Sequence, residues 1–255
     1  MRHKPVMAGA RHHSTAWAVL CAALVLSLGA AAAQNTGAPV DPYAAVRPAT
    51  DSVGVEMPDA ADFPHPWDKI SFVMRVTLAG VMPPLNGGVA FVGDSETDSM
   101  RWDEMFPQDK SRNFGISGDT SVGLKHRIGQ VIAAKPGKVF LQIGTNDIAF
   151  GKLSPEAIAA NVDDCLVKLQ SNLPHVAVFV ESVLPRQPEY DATVRRVNAA
   201  LETAAKKRGV TYIDLYSHFA VDGHMNPSLS PDDIHLSGQG YLIWRDVIRP
   251  YIGND

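Results

Sequence analysis

The sequence predicts an α/β fold, a three-layer α/β/α sandwich around a mainly five-stranded parallel sheet, and three observations carry that expectation. From Gly88 onward five short apolar runs recur, "GVAFVGD", "NFGISG", "KVFLQIGT", "VAVFVESV" and "VTYIDLY", each followed by a helix-like segment. The runs are apolar at nearly every position rather than at alternate ones, as strands covered on both faces are. The connecting segments are long enough for helical crossovers, which parallel strands require and hairpins do not. In such a sheet the working site lies beyond the carboxyl ends of the strands.

The chain opens with a basic stretch containing Arg2, Lys4 and Arg11, continues through "AWAVLCAALVLSLGA" and reaches the small-residue stretch "AAAQ". These are the three parts of a secretory signal peptide. Residues 1–33 are therefore expected to be removed and the mature protein exported, to a periplasm or out of the cell. The apolar run falls short of the ~20 residues a spanning helix needs, so no stable membrane insertion is expected after cleavage. Leu20 ahead of Cys21 does not fit a lipid-modified cysteine. N-terminal sequencing of exported protein should begin at Gln34; a first residue of Met1 would overturn the expectation.

Removal of the leader leaves 222 residues, enough for one domain with its own core. The leader carries three basic and no acidic residues, so the formal net charge moves from −4 to −7. That balance argues against a nucleic-acid partner, whose binding needs a basic face. Cys165 would then be the sole cysteine, with no internal disulfide, and its place in a helical pattern predicts a buried, inert thiol.

Residues 34–66 are rich in Pro, Ala and Asp and read as an N-terminal linker or surface-wrapped extension without chemistry. The domain proper is expected over 67–255. It starts with "WDKISFVMRVTLAGVM", where Trp67, Ile70, Val73, Met74 and Leu78 fall at helical spacing and predict a helix laid on the core.

The residues just after the apolar runs are Asp94 and Ser95, then Gly118 and Asp119, then Thr145, Asn146 and Asp147. Near the C-terminus "SPDDIHLSGQGYLIW" adds Asp232 and His235 before a final helical segment. Each has an ordinary structural reading: Ser95 as a helix cap, Gly115 and Gly118 as turn glycines, Asn146 and Asp147 as Asx-turn formers, His235 as a loop histidine. Gathered at one sheet edge they supply a hydroxyl, an imidazole, a carboxylate, backbone donors and a side-chain amide, the set that acyl transfer through a serine requires.

Four blocks, "GDS" at 93–95, "NFGISGDTS" at 113–121, "GTND" at 144–147 and "DDIH" at 232–235, make the sequence resemble the SGNH branch of the GDSL hydrolases, in family order and spacing from about Val89 to Trp244. The resemblance implies a flavodoxin-like sheet. It also implies Ser95 as nucleophile, His235 as base and Asp232 as its orienting carboxylate, with the Ser95 N–H, the Gly118 N–H and the Asn146 amide as the oxyanion hole. The chemistry agrees. A serine hydroxyl needs a base to take its proton, and histidine titrates near neutrality. An aspartate three residues earlier can turn back to the other ring nitrogen, which favours Asp232 over Asp233.

Two features depart from the commonest family pattern. Glu96 follows the serine where Leu or Ile is usual, and with Asp98 it is expected to make the mouth acidic and unwelcoming to anionic substrates. No "GxSxG" elbow is present, which argues against the α/β-hydrolase fold. His218, Asp222 and His224 lie at irregular spacing and match no ligand pattern, so no metal and no cofactor are expected.

These observations lead to the expectation of an exported serine esterase acting on short acyl esters of a small molecule or carbohydrate, with O-acetyl groups on a sugar foremost. The alternatives are a lipase, lysophospholipase or thioesterase; a polysaccharide O-acyltransferase sharing the same acyl-enzyme; and a catalytically silent carbohydrate-binding protein.

Overall fold

The computed structural model describes residues 66–253, so the expected leader and residues 34–65 of the expected extension lie outside the described residues. The described chain begins with α1 over Pro66–Val81. Its buried face is Phe72, Val73 and Val76, whereas Met74 and Leu78, placed inward by their spacing, are 63% and 50% exposed. Helical spacing revealed the helix but not its face, because apolar residues run almost all round "ISFVMRVTLAGVM" and several stripes fit a 3.6-residue period.

The five predicted strands all form: β1 over Val89–Gly93, β2 over Arg112–Gly115, β3 over Lys138–Gln142, β4 over Ala177–Glu181 and β5 over Thr211–Ile213. Between β1 and β2 lie two single-turn helices, α2 over Ser95–Asp98 and α3 over Trp102–Met105. The later connections carry α4 over Ser121–Ala134, α5 over Thr145–Phe150, α6 over Pro155–Asn172 and α7 over Asp191–Arg208. After β5 come α8 over Tyr216–Phe219, a small antiparallel ribbon of β6 (Ala220–Val221) and β7 (His224–Met225), and the closing helix α9 over Gly238–Ile252.

The sheet order is β2-β1-β3-β4-β5, and every neighbouring pair is parallel. This is the flavodoxin-like order. The alternation of side chains along each strand splits the core in two. Ala90, Val92, Val139, Leu141, Val178 and Val180 face α4, α6 and α7. Val89, Phe91, Phe140 and Phe179 face Trp102, Phe219, Trp244 and Ile248 on the opposite side. Phe91, Phe140 and Phe179 are in register across β1, β3 and β4, with ring centroids 5.3 Å and 4.6 Å apart, and Trp102 stacks on Phe91 at 4.0 Å. Covering both faces is what made the central strands β1, β3 and β4 read as apolar runs, and it holds the carboxyl ends of β1 and β3 rigidly side by side. The chain leaves β1 for β2 on one flank and returns to β3 on the other, so the crevice where ligands bind in such sheets opens beyond the end of β1.

Candidate active site

β1 ends at Gly93, and the carboxylate of Asp94 accepts from the Glu96 N–H at 3.1 Å, which makes Asp94 the N-cap of α2. The capping role that the sequence left open to Ser95 thus belongs to its neighbour. Ser95 is the first helical residue, its N–H is one of the helix-start donors without an intrahelical acceptor, and its Oγ lies 3.0 Å from Nε2 of His235.

His235 is held by the turn that precedes α9. Oδ1 of Asp232 accepts from the backbone N–H of His235 at 2.7 Å and of Ile234 at 3.1 Å, which turns Oδ2 toward Nδ1 of His235 at 2.7 Å. Asp233 adopts a left-handed φ of 64° within the turn, and Asp232 is the partner, as its spacing suggested. Burial alone would raise the Asp232 carboxyl, but the bonds from the His235 ring and the two backbone N–H groups outweigh it and hold the group at about 2. An ionised carboxylate only accepts, so the network assigns the proton to Nδ1 and leaves Nε2 to accept from the serine hydroxyl. The pair is open to water, with His235 and Asp232 side chains 43% and 48% exposed.

The other expected donors come from the loop after β2 and from α5. Gly118 sits at φ 80°, a backbone conformation that a side chain would strain, and the Asp119 N–H closes the turn on the Ile116 carbonyl at 3.0 Å. Asn146, in the first turn of α5, donates one amide N–H to the Asp119 carbonyl at 2.8 Å; a carboxamide carries a second. The Ile116 N–H donates to the Gly93 carbonyl at 3.0 Å, so this loop is tied to the strand end that presents Ser95.

Three further residues build this arrangement. Arg127 of α4, 1% exposed, donates to the Asp119 carboxylate at 2.6 Å, to the Phe114 carbonyl at 2.7 Å and to the Gly93 carbonyl at 2.8 Å. One rigid guanidinium therefore joins the ends of β1 and β2 to the Gly118 loop. Its signal was present in the sequence, since a charged residue sits on the apolar stripe Leu124, Ile128, Val131. Asn113 donates to the carbonyls of Thr97, Asp98 and Met100 at 2.8 to 3.0 Å and so caps the far end of α2. Asp147 accepts from the N–H and the hydroxyl of Ser121 at 2.9 and 2.7 Å, pinning the start of α4 to α5. Burial pushes its carboxyl up to about 6.

The expected acidic mouth does not form. Glu96 is fully buried, receives the Gln142 side-chain amide at the end of β3, and its backbone carbonyl accepts from Tyr241 of α9 at 2.7 Å. Burial raises its carboxyl to about 7, against the amide bond and the charges of His235 and Arg186. Successive residues of a helix point about 100° apart, so standing next to Ser95 in sequence turns Glu96 into the core. Asp98 is neutralised by Arg75 at 2.8 Å. Among the described residues no group of three or more His, Cys, Asp and Glu side chains is placed to hold a metal ion. Cys165 is buried, and its thiol is pushed up to about 12 by that burial.

A flavodoxin-order sheet that joins serine, histidine and aspartate at its carboxyl edge is the arrangement of serine-dependent ester hydrolases. Residues 91–243 match the GDSL-like Lipase/Acylhydrolase family, and the chain belongs to it: it is a hydrolase of ester bonds. The chain is 28% identical over 165 residues to platelet-activating factor acetylhydrolase IB subunit alpha2 of Rattus norvegicus, covering 60% of this chain and 70% of that protein. Two solved structures share the fold. A GDSL-like lipase of Bacteroides thetaiotaomicron superposes with TM-score 0.62 at 24% identity, covering 71% of this chain and 96% of that one. An acetylxylan esterase of Geobacillus stearothermophilus superposes with TM-score 0.55 at 21% identity, covering 68% and 96%.

Proposed function

We propose that the protein is an exported serine esterase that removes short acyl groups, O-acetyl foremost, from a carbohydrate. The observation that carries the catalytic part is the continuous path Ser95 Oγ to His235 to Asp232 at the mouth of β1. His235 Nε2 takes the hydroxyl proton as Ser95 Oγ bonds to the ester carbonyl carbon. The carbonyl oxygen becomes an oxyanion, met by the N–H groups of Ser95 and Gly118 and the Asn146 amide. Collapse breaks the C–O bond to the alcohol, which leaves with the proton from His235, and the acyl group stays on Ser95. Water then adds to that ester, His235 takes its proton, and the carboxylic acid departs as the serine regains its hydrogen. Asp232 keeps Nδ1 protonated and stabilises the imidazolium in both halves.

The short acyl group is supported by two kinds of relative whose names specify acetyl, the platelet-activating factor acetylhydrolases and the acetylxylan esterase. The first is named for removing acetyl from platelet-activating factor, which keeps the lipase or lysophospholipase alternative as the second reading. Export rests on the character of residues 1–33. A series of p-nitrophenyl esters tests the acyl part: kcat/KM for acetate should exceed that for octanoate by about tenfold or more, a discrimination within reach of a pocket that excludes several methylenes. Preference for octanoate would turn the assignment to a lipase. Acetylated xylo-oligosaccharide set beside platelet-activating factor separates the sugar from the lipid alcohol.

A further inference from the structure

We propose that Arg75, on the helix α1 that precedes the family-matched span 91–243, is a positioning residue for the oxyanion loop. The proposal rests on the reading of Ser95 as nucleophile and of Gly118 as an oxyanion donor. The Arg75 guanidinium reaches two elements of the site at once. Its Nε donates to the carbonyl of Gly115, the last residue of β2, at 3.1 Å, and one terminal nitrogen ion-pairs with Oδ1 of Asp98, the last residue of α2, at 2.8 Å. The second oxygen of that carboxylate accepts from the hydroxyl of Ser117 at 2.8 Å, and Ser117 directly precedes Gly118. Arg75, Asp98 and Ser117 thus form a chain from α1, across the end of the nucleophile helix, to the residue beside the oxyanion donor.

The spacing that the chain spans has little tolerance. A methyl group on Gly115 would stand 2.3 Å from the Asp98 nitrogen, so the end of β2 lies directly on the end of α2. Arg127 grips the same loop from α4, inside the domain; Arg75 grips it from the solvent side. The helix that carries Arg75 is itself anchored: Phe72, Val73 and Val76 are buried, and the Gln130 side chain of α4 donates to the Val76 carbonyl at 2.6 Å. Without the guanidinium the Asp98 carboxylate would turn toward water, release Ser117 and leave an uncompensated negative charge near the developing oxyanion. The first effect displaces a donor and the second opposes the transition state, and both act on kcat rather than on binding of the neutral ester.

Arg75→Gln should lower kcat about tenfold while KM changes by less than about twofold, as loss of a transition-state interaction does. Arg75→Lys, which keeps the charge beside Asp98 but loses the bond to Gly115, should recover most of that loss. Affinity for a boronic acid that forms a tetrahedral adduct on serine should fall in parallel with kcat. Ser117→Ala should reduce kcat in the same direction, and the double variant should be less than additive, because both substitutions act through Asp98. Kinetics normalised to active sites counted by a fluorophosphonate make the outcome independent of folding yield. Wild type labelled on Ser95 with Arg75→Gln at wild-type kcat overturns the proposal and leaves the catalytic reading standing. Wild type that takes no label on Ser95 overturns that reading first. If Arg75→Gln does not fold, the result passes to Arg75→Lys and Ser117→Ala, and wild-type kcat and boronate affinity in both would overturn it.

Discussion

Replacing Ser95 by alanine should lower kcat by about 10⁴ or more, replacing His235 by alanine should cost a similar factor, and the double variant should be little worse than either single one. In the proposed mechanism the 3.0 Å contact between Ser95 Oγ and Nε2 makes the two side chains one device, since neither a hydroxyl without its base nor a base without its hydroxyl performs the step. A factor of 10⁴ corresponds to about 5.5 kcal/mol of transition-state stabilisation. The proposed oxyanion donors remain in place in every variant, so activity should settle on a residual floor above the uncatalysed rate rather than vanish. Stability should hardly move, because both side chains are partly exposed and Asp94, not Ser95, caps α2. Steady-state kinetics and melting curves on the three variants check this. Losses that multiply in the double variant would mean that the residues act in separate steps, and the shared proton transfer would fail.

What the sequence disclosed and what it withheld divide along a physical line. The central strands were legible because both sheet faces are buried there, which favours apolar runs such as "VAFVG" and "VFL". That Ser95, the Gly118 loop and Asn146 meet at one sheet edge was legible because chain topology brings the segments after β1, β2 and β3 to that edge, so position in sequence already implied position in space. Asp232 was separable from Asp233 because a three-residue reach to His235 is set by local turn geometry.

Features that depend on which way a side chain turns were not legible. Glu96 lies beside the serine in the chain, yet one step along a helix swings it into the core against Gln142, and the acidic mouth expected from it is absent. Met74 and Leu78 satisfied the helical period of α1 while facing outward, because the period alone does not say which of two apolar stripes is buried. Arg127 interrupts an apolar face in a way periodicity records, but its three acceptors come from residues 8 to 34 positions away and only folding assembles them. Asp147 read as an Asx-turn former, and its carboxylate instead holds Ser121, 26 residues earlier.

Asn146 and Asp147 are adjacent in "GTND"; their side chains bond different partners, and the proposed mechanism gives them different tasks that kinetics can separate. Asn146→Ala should reduce kcat about 10²- to 10³-fold with little change in KM, because in the proposed mechanism the amide meets the oxyanion more strongly than the ground-state carbonyl. It also removes the 2.8 Å bond that holds the Asp119 carbonyl beside Gly118, a second route to the same oxyanion and hence again to kcat. Asn146→Asp should be at least as harmful, since it exchanges a donor for a negative charge facing the developing oxyanion. Asp147→Asn should act on the scaffold instead. Both Asp147 oxygens accept from Ser121, whereas an amide offers one acceptor, so one of the two bonds is lost at a cost of about 1 kcal/mol. For a domain of this size that lowers the melting temperature by about 2–4 °C. Its kcat should stay within about threefold of wild type, because neither bond reaches the reacting atoms. Measuring kcat, KM and melting temperature for the three variants distinguishes the roles. Near wild-type kcat in Asn146→Ala, together with a folded but inactive Asp147→Asn, would reverse the assignment and move the oxyanion contact from the amide to the carboxylate's neighbourhood.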